Sequence, residues 1–115
     1  MKNLPTIKMG IVAVSRDCFP IELSKKRKAS VLEACQANHI SLTDIETVVE
    51  NDSDSLNALA EIEKKGVNAI VIYLGNFGPE GPLTLLAQKF DGPVMLVAAA
   101  EESSSSLMDD RGDAY

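Results

Sequence analysis

The chain has 115 residues, with 11 Lys+Arg against 17 Asp+Glu, one His and a formal net charge of −6. At that length it holds one core, burying roughly two thirds of the surface its unfolded chain exposes, and no second domain. A hydrophobic share of 45% and a charged share of 24% exclude wholesale disorder, and the acidic balance excludes the dense basic surface a nucleic-acid partner needs.

The charge is unevenly placed. Residues 1–100 carry 10 basic and 12 acidic groups, whereas residues 101–115 set Arg111 against Glu101, Glu102, Asp109, Asp110 and Asp113. The run Ser103 to Ser106 falls in the same stretch. Such a polar, acidic segment buries too little apolar surface to order itself. The expected division is therefore an α/β domain over 1–100 and an acidic, serine-rich tail over 101–115 that begins a linker to a further domain. Met1 to Met9 has no apolar h-region of a signal peptide, and no run approaches the ~18 residues that cross a bilayer. Cys18 and Cys35 form no CxxC pair, so a cytoplasmic protein with reduced thiols is expected, with no membrane partner.

In chain order, Ile7 to Val14 is β-branched and compact and reads as a buried strand. After Pro20, Glu22 to about Asn38 reads as a helix with Val31, Leu32 and Cys35 on one face. Lys25 to Lys28 occupy all sides of one turn, which suits a solvated helix start. Thr47 to Glu50 reads as a short second strand. Asp52 or Ser53 then caps a helix carrying Leu56, Leu59, Ala60 and Ile62, stopped by Lys64-Lys65-Gly66. Ala69 to Leu74 is a continuous apolar strand covered on both faces. Leu83 to Phe90 is a short helix with Leu85, Leu86 and Phe90 inward and Pro82 in its first turn. Val94 to Ala100 is the fourth strand. The βαβαβαβ alternation implies an open, mostly parallel four-stranded sheet with helices on both faces and right-handed crossovers.

In such a sheet ligands bind beyond the carboxyl ends of the strands. Four segments qualify: Ser15 to Phe19, Glu50 to Ser53, Gly75 to Pro82, and Ala99 to Glu102. The first contains no glycine, so neither GxGxxG nor GxxxxGK[ST] is present and nucleotide binding is not expected. Arg16 and Asp17 either orient a polar ligand or pair on the surface. Cys18 lies near where phosphate-handling loops place a thiol, but Pro20 contributes no N–H to such a loop. Gly75 to Pro82 is the most informative segment, because three glycines and two prolines in eight residues fix an unusual backbone path. Within it Asn76 can donate and accept hydrogen bonds, and Phe77 can face a sugar ring or a neighbouring subunit. A tight turn with a half-buried Phe explains it equally well. His39 lies near a helix end, away from the ligand edge, in a structural role. The edge carboxylates Asp17, Glu50, Asp52, Glu80 and Glu101 have no His beside them, so no metal site and no self-sufficient catalytic set is expected.

Gly10-Ile11-Val12-Ala13-Val14-Ser15-Arg16-Asp17, Ile72 to Glu80, Lys89 to Val94, and the closing Arg111-Gly112-Asp113-Ala114-Tyr115 resemble the N-terminal domain of the L-fucose/L-arabinose isomerase family. The resemblance covers nearly the whole chain. It implies a flavodoxin-like or Rossmann-like three-layer sandwich that belongs to a longer parent. Such parents interconvert aldoses and ketoses with a manganese-type ion held by Glu, Asp and His, and they typically assemble as hexamers. Those ligands and the proton-transferring acids lie beyond the N-terminal domain in the family, so the resemblance carries no catalytic residue and no metal ligand onto this chain. It implies Arg16, Asn76 and Phe77 as sugar-recognition residues, and as partners a small sugar, the parent's remaining domains and a neighbouring subunit. Two other readings stand beside it. One is a lobe of a periplasmic-type or repressor-type sugar-binding module, whose second unit Glu50 to Ile72 also resembles. The other is a phosphocarrier using Cys18.

Overall fold

The computed structural model describes residues 5–16 and 18–100. Asp17, Glu101 and the tail 101–115, with its expected linker role, lie outside the described residues. Four strands and three helices alternate: β1 Met9–Val14, α1 Ile21–Ala37, β2 Thr43–Asp44, α2 Asp52–Lys64, β3 Ala69–Leu74, α3 Glu80–Lys89 and β4 Val94–Ala98. The strands form one sheet in the order β2-β1-β3-β4, and every pairing is parallel. The expected α/β class is found, with an all-parallel sheet.

Alternation along the strands separates two faces. Val12, Val14, Ile70 and Ile72 join Ala58 and Ile62 of α2 and Leu86 of α3 in the main core. Val31 and Cys35 of α1 lie on the other face beside Val71, Tyr73, Met95 and Val97, along an apolar groove of about 450 Å3. One face is therefore closed by two helices and the other is half covered by one. On β4, Met95 is 61% exposed and Leu96 59% exposed, consistent with an edge position among the described strands.

Four element readings need correction, one of them in α3, where Leu83, Leu86, Ala87 and Phe90 face the core and Leu85 lines an outer cleft. The second strand lies at Thr43–Asp44, while the 47–50 stretch meets β1 through the single bridge Val14↔Val49. The cause is Glu61, whose carboxylate accepts from the backbone N–H groups of Glu46 and Thr47 and withdraws them from the sheet ladder. Lys28 is not solvated: its ammonium is buried, donates to the Ile45 carbonyl and lies 2.6 Å from the Asp44 carboxylate. The inward face of α2 is Ser55, Ala58, Leu59 and Ile62, with Leu56 and Ala60 turned outward. Its cap is Asn51, which accepts from the Asp54 N–H at 2.8 Å.

Both long helices end in the same way. After α1, His39 takes a positive φ of 60°, with bonds His39 N–H to Gln36 O and Ile40 N–H to Cys35 O. After α2, Gly66 takes φ 70°, with Gly66 N–H to Glu63 O and Val67 N–H to Ile62 O. This paired pattern is a Schellman termination. It gives His39 the structural role expected of it.

Candidate ligand rim at the switch point

β1 leads to β2 on one side and β3 returns on the other, so the strand order reverses between the carboxyl ends of the parallel strands β1 and β3. That crevice is where open α/β sheets take ligands. Residues 15, 16 and 18–20 after β1 and residues 75–79 after β3 leave these two strand ends, and the two segments meet through Asn76.

Asn76 joins them. It is 5% exposed, its Oδ1 accepts from the Arg16 N–H at 3.0 Å, and its Nδ2 donates to Ser15 Oγ at 2.9 Å. A longer contact runs from Nδ2 to the Pro20 carbonyl at 3.4 Å. The side-chain amide has one acceptor and two donor hydrogens, and all three are engaged within the protein. Asn76 therefore fixes one loop against the other. Arg16 remains exposed, with Nη2 at 3.5 Å from the Gly78 carbonyl. Phe77 is 54% exposed and its ring centroid lies 5.9 Å from that of Phe19, tilted by 54°. The result is a rim with a cation on one side and two aromatic rings on the other.

The glycines are required by close packing. A Cβ on Gly75 would come within 2.7 Å of Ser24 Cα, and a Cβ on Gly78 within 2.5 Å of Val14 Cγ2. Neither neighbour can retreat, because Ser24 sits in a helix and Val14 is fully buried. Beside the rim, a cavity of about 260 Å3 opens between the ends of β3 and β4, lined by Arg27, Leu74, Phe77, Ala98 and Ala99 with Asn76. Beneath it the Tyr73 phenol is pushed up by burial, with the charge of Arg27 pulling the other way.

Ser15, Ser24 and Arg27 are site residues that sequence reasoning passed over. A signal was available for the last two. The apolar stripe of α1 at Val31 and Cys35 continues backwards at helical spacing onto Lys28 and Ser24, with Arg27 adjoining. A stripe that turns polar while staying inward marks side chains serving backbone groups.

The other expected residues take no part in these contacts. Cys18 is exposed on the first loop. Asp52 and Glu80 line a shallow cleft between α2 and α3. Among the described residues no group of three or more His, Cys, Asp or Glu converges where a metal ion would sit. The manganese implied for the parent finds no donor set on these residues. Among them, too, no helix is long and apolar enough to cross a membrane.

The fold and rim define a doubly wound α/β domain whose two loops at the switch point are joined through a buried amide. The chain belongs to the fucose/sulfoquinovose isomerase family as its N-terminal domain, which it matches over residues 10–115. No curated protein and no solved structure matches it significantly.

Proposed function

We propose that this domain is the sugar-recognising part of an aldose–ketose isomerase, inert by itself and completed by other domains and a neighbouring subunit. The observation that carries this reading is the rim itself. Arg16 and Phe77 stand exposed on two loops that a buried amide holds together at the switch point. A guanidinium donates to ring hydroxyls, and an aromatic face packs against the C–H side of a pyranose. Asn76 contributes by placement, since its own amide groups are engaged. The proton-transferring acids and the divalent ion, manganese by the family resemblance, belong to the rest of the parent. A cytoplasmic location accords with this metabolic role.

Two measurements test the proposal. L-fucose titrated into the chain and followed by amide NMR should move resonances of the 15–19 and 75–79 loops. Arg16→Ala and Phe77→Ala should each weaken that response about fivefold or more while leaving the urea midpoint unchanged, because both side chains lie outside the core. Titrations that move no rim resonance would refute the recognition role. Separately, the chain supplied with manganese and L-fucose should give no ketose, and measurable turnover would refute its inertness.

A further inference from the structure

The N-terminal half of α1 presents three side chains to backbone carbonyls of three different segments. Ser24 Oγ donates to Val14 O at the end of β1 at 2.9 Å. Lys28 Nζ donates to Ile45 O beyond β2 at 2.8 Å. Arg27 Nη1 donates to Gly75 O beyond β3 at 2.6 Å. The first two bonds fasten the helix to the sheet. The third joins that fastened helix to the rim loop, one residue before Asn76 and two before Phe77.

The residues around Phe77 are otherwise held by different means. Asn76 is tied to the first loop through its amide. Gly78 is packed against Val14 at a distance that excludes a Cβ. Gly75 lies as close against Ser24 and its N–H donates to the Tyr73 carbonyl, so its own carbonyl is the group that bonds to the helix. Arg27 also lines the cavity that Phe77 borders. Its guanidinium is a planar, permanently charged donor, and a bond from such a group to a carbonyl is stronger than a neutral one.

We infer that Arg27 is a positioning residue: by holding the Gly75 carbonyl to α1 it sets the direction in which the 75–78 loop presents Phe77. The inference rests on the recognition reading for its consequence, since a displaced ring matters only where a ligand meets it. The positioning itself is legible without ligand.

The test compares Arg27→Met and Arg27→Lys with the unaltered chain. Arg27→Met keeps the length and apolar stem but loses every donor, while Arg27→Lys keeps a point donor within the same reach. Without sugar, Arg27→Met should shift the amide resonances of Gly75 to Gly78 and the Phe77 ring selectively, and Arg27→Lys should return them most of the way. With L-fucose as the probe, Arg27→Met should weaken binding about tenfold and Arg27→Lys should recover most of that loss. Loop resonances unmoved in both variants, or shifts spread evenly through α1 and the sheet, would overturn the inference. If the unaltered chain shows no response to L-fucose while the loop shifts appear as expected, the recognition reading fails and the positioning role stands. Should Arg27→Met fail to fold, Arg27→Gln takes its place, a polar side chain too short to restore the bond to the Gly75 carbonyl: loop resonances identical to those of the unaltered chain would then overturn the role.

Discussion

At the residue scale the rim is held by groups that have no freedom to change. Asn76 serves a backbone N–H, a hydroxyl and a carbonyl at once, so its removal strands the polar groups it satisfied. Asn76→Ala should lower the unfolding free energy by about 1–3 kcal/mol, the penalty of leaving such groups unpaired, read by urea denaturation. Asn76→Asp should cost at least as much, because an oxygen would then face Ser15 Oγ and the Pro20 carbonyl where an NH2 had donated. The glycines make a sharper comparison. Gly75→Ala drives a methyl against the backbone of α1 and should destabilise by about 1–3 kcal/mol, with selective displacement of the 75–78 amide resonances. Gly81, inside the first turn of α3, has nothing within 4 Å of its missing Cβ apart from its chain neighbours and its own helix backbone. Gly81→Ala should change stability by less than ~1 kcal/mol, because the helix entropy it gains is offset by the new Cβ meeting the Pro82 ring. Equal effects at the two positions would show that close packing is not what selects glycine at position 75.

At the scale of elements, the segment between β2 and α2 is organised by a single carboxylate. Burial disfavours a charge on Glu61, but the Lys65 ammonium, the backbone N–H groups of Glu46 and Thr47 and the Thr47 hydroxyl outweigh it, lowering its pKa to about 2. Lys65 is correspondingly raised, first by its hydrogen bond to Glu61 and against its own desolvation. A carboxylate whose folded pKa lies below its unfolded one contributes stability that is complete above the unfolded value and vanishes as pH falls towards the folded one. Stability should therefore decline between about pH 4.5 and pH 2, by roughly 2–3 kcal/mol from this group. Glu61→Gln should be less stable at pH 7 and should lose the part of the acid limb due to this group; equal pH slopes in the two proteins would refute the assignment. The same contact explains why the second strand was misplaced from sequence. Thr47 to Glu50 has β-branched residues suited to a strand, but propensity carries no trace of a glutamate arriving from the next helix, fourteen residues on. Ala69 to Leu74 was legible to its exact bounds because a central parallel strand needs only a continuous apolar run. The C-terminal ends of the helices at Asn38 and Lys65 were nearly so, since the turn chemistry is local. At the rim, Arg16 and Phe77 were readable as exposed loop residues. The engagement of Asn76 was not, because its partners lie 56 to 61 residues away in the chain.

At the scale of the whole molecule, the two faces of the sheet are unequal. On one, α2 and α3 close over a continuous core; on the other, α1 packs over β1 and leaves an apolar groove beside β3 and β4. The order β2-β1-β3-β4 produces this directly. Right-handed crossovers place the one connection running to β2 on one face and the two connections running back on the other. Matched valines measure the asymmetry. Val12 of β1 is fully buried beneath α2 and α3, whereas Val71 of β3, also in an inner strand, is half-buried on the α1 face. Truncating either to alanine removes the same two methyl groups, so the transfer contribution scales with the surface each had hidden, and only the enclosed site keeps a cavity. Val12→Ala should cost about 2–3 kcal/mol and Val71→Ala about 1 kcal/mol or less, both from urea unfolding at pH 7. The difference should also appear in hydrogen exchange, with β1 amides losing more protection in Val12→Ala than β3 amides in Val71→Ala, as local openings follow the loss of buried contacts. Equal costs would mean that the α1 face is as well covered in solution as the α2 and α3 face, which would require the groove beside Tyr73, Met95 and Val97 to be filled.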